Sequence, residues 1–116
     1  MNDRTRLPNR RPSINRKVVW QTDTAEHRFY VTLGLHPATG DVLEVFYADG
    51  QLTGSQLQHT IQDACVLISL LLQHGVSSTD IGKSLSTAPV FGQDRPATVV
   101  GVIAETLKDG LEGAAV

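Results

Sequence analysis

Glu44 is the one acid in the apolar run VLEVFY, residues 42–47. A carboxylate placed there must stay solvated or find a cation, because desolvating an unpaired charge is costly. The obvious cations sit near the start of the chain. Arg4, Arg6, Arg10, Arg11, Arg16 and Lys17 are six of the ten Lys and Arg residues. Glu44 therefore has two readings: an ion pair with an arginine or lysine of that basic segment, or a solvated position on a strand. Ser69 and Gln73 raise a second question. They lie four apart in a helical pattern, share a face, and adjoin His74, so they could meet one ligand or one facing helix. The plainer reading makes them polar residues where a helix leaves the core.

Other constellations carry less. His59 and His74 share the predicted helix but stand 15 residues apart, about 22 Å along an α-helix, too far to hold one ion. His27 and His36 complete no HxH or HxxxH pair, so no metal site is expected. The chain has no GxSxG elbow and no glycine-rich phosphate loop. GDVLEVFYADG lacks the alternating acids of a calcium loop. Cys65 falls on an apolar helix stripe, where it reads as a small buried hydrophobe rather than a nucleophile. Being alone, it excludes an internal disulfide and any CxxC centre. No catalytic group and no cofactor are expected from the residues themselves.

The elements that would position these residues follow from periodicity. KVVWQ (17–21) reads as a short strand. RFYVTLGL (28–35) alternates Phe29, Val31, Leu33 and Leu35 against Tyr30 and Thr32, as a strand with one buried face does. HPATGD (36–41) is a turn. VLEVFY carries apolar residues on both faces, which predicts the central strand of a small antiparallel sheet. Ser55 with Gln58 three residues on forms a capping-box pattern. Leu57, Ile61, Ala64, Cys65, Ile68, Leu71 and Leu72 then follow at helical spacing, and Gly75 stands where the helix should end. SSTDIGKSL predicts a short second helix capped by Ser77 or Ser78, with Ile81 and Leu85 inward. STAPVFGQDRP (86–96), with two prolines, reads as a loop. ATVVGVIAETLKDG reads as a third helix, although TVVGVI is β-branched enough for a strand. The expectation is an α+β domain: a small antiparallel sheet of about three strands, then three helices packed on one face.

Composition bounds the rest. The chain has 116 residues, 41% hydrophobic and 19% charged, which suits one globular domain with a modest core. Charge is uneven: residues 1–17 hold six cations and one acid, and the remainder four cations and eleven acids. The division expected is a basic extended arm over 1–15, one domain over 16–110 and a frayed tail over 111–116. The basic start has no apolar run behind it, so it is not read as a signal peptide, and no apolar stretch is long enough for a membrane span. A cytoplasmic protein is expected. The arm has three readings: a phosphate-binding tail, a strap folded over the acidic body, or a strap on a neighbouring subunit. No aromatic precedes Trp20 to stack on bases, and arginine suits bidentate carboxylate pairing, so the ordered readings are favoured.

RLPNRRPSINRKVVW, RFYVTLGLHPATGDVLEVFY and LISLLLQHGVSSTDIGKSL, taken in order, resemble the TSCPD domain, the C-terminal domain of vitamin B12-dependent (class II) ribonucleotide reductases, which also occurs as short free-standing proteins. The resemblance rests on Leu7-Pro8, Arg10-Arg11, Lys17, Gly34, Gly40, Glu44 and Phe46. The helix end Ile68, Ser69, Leu70, Leu72, Gln73, Gly75 and Val76 extends it, with Phe91 and a final helix beyond. It runs from about residue 6 to 109. In the enzymes so resembled, reduction takes place in a separate barrel, with adenosylcobalamin, a radical-bearing cysteine and two reducing cysteines. Cys65 alone cannot supply three thiols, and the cysteine-containing segment that names the domain is absent. The resemblance thus implies a non-catalytic domain accessory to deoxyribonucleotide synthesis. It would act by protein association, with a second copy as a homodimer and with a ribonucleotide reductase. The alternative is nucleotide or nucleic-acid binding through Arg4, Arg6, Arg10, Arg11, Arg16 and Lys17 of the arm. The contact residues expected on either view are Arg10, Arg11, Arg16, Lys17, Glu44, Ser69, Gln73 and His74.

Overall fold

The computed structural model describes residues 3–49 and 55–108. Strand β1 (Ser13–Gln21), β2 (Glu26–Leu35) and β3 (Val42–Ala48) form an antiparallel sheet in the order β1-β2-β3. Helix α1 (Gln56–Gln73) and helix α2 (Ser78–Ser84) follow. A two-stranded sheet of β4 (Thr87–Val90) and β5 (Gln93–Pro96) comes next, and α3 (Val99–Thr106) ends the described chain. The architecture is α+β, a three-stranded antiparallel sheet with three helices, as the periodicity predicts; the small second sheet is added to it.

The alternation in β2 sets the core. Phe29, Val31, Leu33, Val45 and Tyr47 bury one face of the sheet, and Ile61, Cys65, Ile68 and Leu72 of α1 pack on it. Ile81 of α2 and Val102, Ile103 and Leu107 at α3 join the same cluster. The helix ends are where the caps place them. Ser55 accepts the Gln58 N–H, Ser77 the Asp80 N–H and Thr98 the Gly101 N–H. Gly75, at φ 90°, lets Val76 N–H return to the Leu71 carbonyl at 3.0 Å. The Thr98 cap and the burial of Val102 and Ile103 settle 99–106 as helix over strand.

Four expectations are corrected. β1 begins at Ser13, four residues before Lys17, because Ser13 and Ile14 pair with Gly34 and Leu33. β2, not β3, is central: VLEVFY is apolar on both faces because Phe46 lies half exposed on the open face of the sheet. The 86–96 segment is a hairpin rather than a loop. Pro89 and Pro96 lack an N–H, but each strand of a two-stranded sheet has an edge that needs none. Its turn takes Phe91 and Gly92 to φ 49° and 78°, the doubly left-handed geometry of a tight hairpin. Finally, Leu57 and Leu71 are exposed, so the buried stripe of α1 is narrower than its apolar pattern.

Candidate binding site

The residues before β1 form an extended arm laid along the end of the sheet. Thr5 N–H donates to the Gln73 carbonyl at 2.7 Å, satisfying one of the carbonyls that α1 leaves open at its C-terminus. Leu35 N–H donates to the Pro12 carbonyl at 2.9 Å, which carries the arm into register with β2. Between these anchors Arg11 meets Glu44. Its Nε lies 2.7 Å from Oε1 and its Nη2 3.0 Å from Oε2, a bidentate pair. Nη1 donates to the Pro8 carbonyl at 3.0 Å, so one guanidinium holds the carboxylate and its own loop. The pair is half-buried, with side-chain exposures of 28% and 14%. Glu44 and the hydrogen bond it accepts hold the Arg11 pKa above its usual value. Gly34 stands opposite Glu44 in the register, and a Cβ there would meet Glu44 Oε1 at 2.5 Å. The bare glycine is therefore the seat of the carboxylate.

Three side chains of α1 treat the free edge of β3. Odd-numbered residues of β3 turn their backbone groups away from β2, and an exposed edge of that kind invites pairing with another strand. Ser69 Oγ accepts the Val45 N–H at 3.0 Å while donating to the Cys65 carbonyl at 2.8 Å. Gln73, the one buried polar residue described, donates through Nε2 to the Leu43 carbonyl at 2.9 Å and accepts from Arg4 Nε. Gln62 takes the Tyr47 N–H on Oε1 at 3.5 Å and donates to the Tyr47 carbonyl. Spacings of seven and four put Gln62, Ser69 and Gln73 on one side of the helix.

The structure thus gathers Arg11, Glu44, Ser69 and Gln73 around the end of the sheet and the β3 edge, with His74 next in sequence as the C-cap of α1. It does not gather the others. Arg10 is exposed and makes no hydrogen bond or ion pair with the described residues. Arg16 lies on the half-buried side of β1 opposite Val31, and Lys17 is exposed opposite Tyr30. Sequence reasoning missed Gln62 and the seating role of Gly34, and it read Arg4 as a phosphate-binding cation of the arm without its contact to Gln73. The position of Gln62, seven before Ser69, was the available signal for one of them.

Two concavities meet here. Arg4, Arg6, Asn9 and Arg11 line one of about 380 Å³. Val45, Phe46, Cys65, Val66 and Leu70 line a second, of about 250 Å³, and Arg4, Glu44 and Gln73 are common to both. Cys65 is 1% exposed, and burial pushes its thiol up to about 11. At neutral pH it is protonated, which is the opposite of what a nucleophile or thiolate ligand needs. Among the described residues no group of three or more His, Cys, Asp or Glu could hold a metal ion, and no helix is long and apolar enough to cross a membrane. His36 is used in its turn, Nδ1 accepting the Ala38 N–H, and His27 stacks on Trp20.

An α+β domain whose sheet edge is closed by helix side chains and whose N-terminal arm is pinned to it defines the class of fold. A family model for the TSCPD domain matches residues 4–111, nearly the whole chain, and the chain belongs to that family, a domain associated with ribonucleotide reductases. No curated protein and no solved structure matches the chain.

Proposed function

We propose that the chain is a non-catalytic, ribonucleotide-reductase-associated domain that works in the cytoplasm by binding other protein chains: a second copy of itself, and a vitamin B12-dependent reductase. The observation that carries this reading is the outer side of α1. Leu57, Leu67 and Leu71 fall on one stripe of the helix and are 69%, 62% and 43% exposed. Large aliphatic side chains aligned in water on an 18-residue helix are a surface suited to association. The protonated, buried Cys65 supports the non-catalytic half, since radical reduction needs accessible thiols.

Sedimentation equilibrium tests the self-association. A dimer is expected, and Leu67→Asp with Leu71→Asp, both exposed, should convert it to monomer without loss of helical circular dichroism. A strict monomer at high concentration that also fails to bind a purified class II reductase would remove the reading.

A further inference from the structure

The geometry points to a nucleotide-binding groove between the arm and α1, with the phosphates held by Arg4 and Arg6 and the base in the adjoining apolar cleft. This goes beyond the association reading and does not depend on it. The arm end of the groove holds Arg4, Arg6 and Arg11 against one carboxylate, Glu44. That carboxylate is already matched bidentately by Arg11, so the remaining two guanidiniums give the concavity its positive charge. Arg4 is oriented by its Nε–H bond to Gln73 Oε1, and its terminal Nη groups meet no acceptor among the described residues. Arg6 makes no hydrogen bond or ion pair with them either. A planar guanidinium fixed through Nε and presenting free Nη groups is suited to phosphate.

The second half of the argument is the shape. The apolar cleft shares its wall with the basic end, and Phe46 and Val66 on it are 48% and 56% exposed. Asp63 also lines that cleft, so a polyphosphate is repelled from it and a ring system is not. Concavities of about 380 and 250 Å³ together match the usual range for small-molecule sites, roughly 300–1,000 Å³. Two opposing terms remain inside the groove: the C-terminal end of α1 and Glu44 both disfavour an anion. Thr5 N–H caps the first and Arg11 neutralises the second. Cations gathered in one hollow fit a single nucleotide rather than a polymer strand, which needs them spread along a track.

Isothermal titration of the full chain at low salt with ADP, pyrophosphate, adenosine and an eight-residue oligothymidylate tests this. ADP should bind at least about tenfold more tightly than pyrophosphate, with adenosine weaker still. Arg4→Gln and Arg6→Gln should each weaken ADP about tenfold, while Arg10→Gln, an exposed arm cation outside the groove, changes it less than about twofold. All three positions are on the surface, so circular dichroism should be unchanged. The proposal is overturned by ADP failing to bind at millimolar concentration, by pyrophosphate binding as tightly as ADP, or by Arg10→Gln costing as much as Arg6→Gln. Binding of the oligonucleotide more tightly than ADP would overturn it in favour of a polymer.

Discussion

Gly34 and Glu44 act as one unit, because the carboxylate occupies the space that any side chain at 34 would fill. Gly34→Ala must therefore push Glu44 away from Arg11. Overpacking of this kind costs about 1–3 kcal/mol. The same substitution in a Glu44→Ala background meets no carboxylate, so it should be nearly neutral; a double-mutant cycle by urea unfolding measures the coupling. Equal costs in both backgrounds would show that the backbone at 34, not the carboxylate, requires glycine. Part of this was legible in the sequence. A lone acid in an apolar strand needs either water or a cation, and the basic arm is the obvious source of the cation. Which arginine it is was not legible, since six cations crowd one segment and only the fold shows that Arg11 reaches Glu44. Gly34 was visible as a residue but not as a seat, because that role depends on the β2–β3 register.

At the level of elements, α1 both buries the sheet and closes its edge. The helix was readable from its cap, its stripe and Gly75, each a local signal. The closure was not: Ser69 and Gln73 pointed to a ligand or a facing helix and Gln62 to nothing, until β3 is known to lie at an edge. Proline hid the β4–β5 hairpin in the same way, being forbidden in a sheet centre but harmless at an edge. Ser69→Ala should leave the Val45 N–H without its acceptor and cost about 1–3 kcal/mol. Replacing Gln62, Ser69 and Gln73 together by alanine should strip the β3 edge. Light scattering is then expected to report aggregation growing with concentration, as bare edges pair with one another. A triple variant that stays as soluble as the parent would mean the edge is guarded by other means.

For the whole molecule, the arm joins parts of the chain that are far apart in sequence, tying the C-terminal end of α1 to the start of the sheet. Its removal takes away the Arg11 pair, the Thr5 bond and the Arg4–Gln73 bond, and leaves Glu44 without its cation and Gln73 with only its bond to the Leu43 carbonyl. Deleting residues 1–11 should lower Tm by more than about 5 °C while the far-ultraviolet spectrum stays that of an α+β domain. An unchanged Tm would reduce the arm to an ornament of the surface. The overall class was legible because strands precede helices and each alternates at its own period. The charge asymmetry was equally plain, but it could not distinguish a strap from a tail: both are basic, and only contacts separate them.

The distance in sequence between Arg4 and Gln73, 69 positions, also sets a clock. The β1–β2 hairpin closes over a few residues and can form early, whereas the arm must wait for the far end of α1, since closing a longer loop costs more entropy. The strap is thus the late step in assembly and the early one in loosening. It can lift by local opening while the sheet and its core stay shut. A partner that competes for Arg4 or Gln73 would meet a clasp already on a faster timescale than the body it fastens.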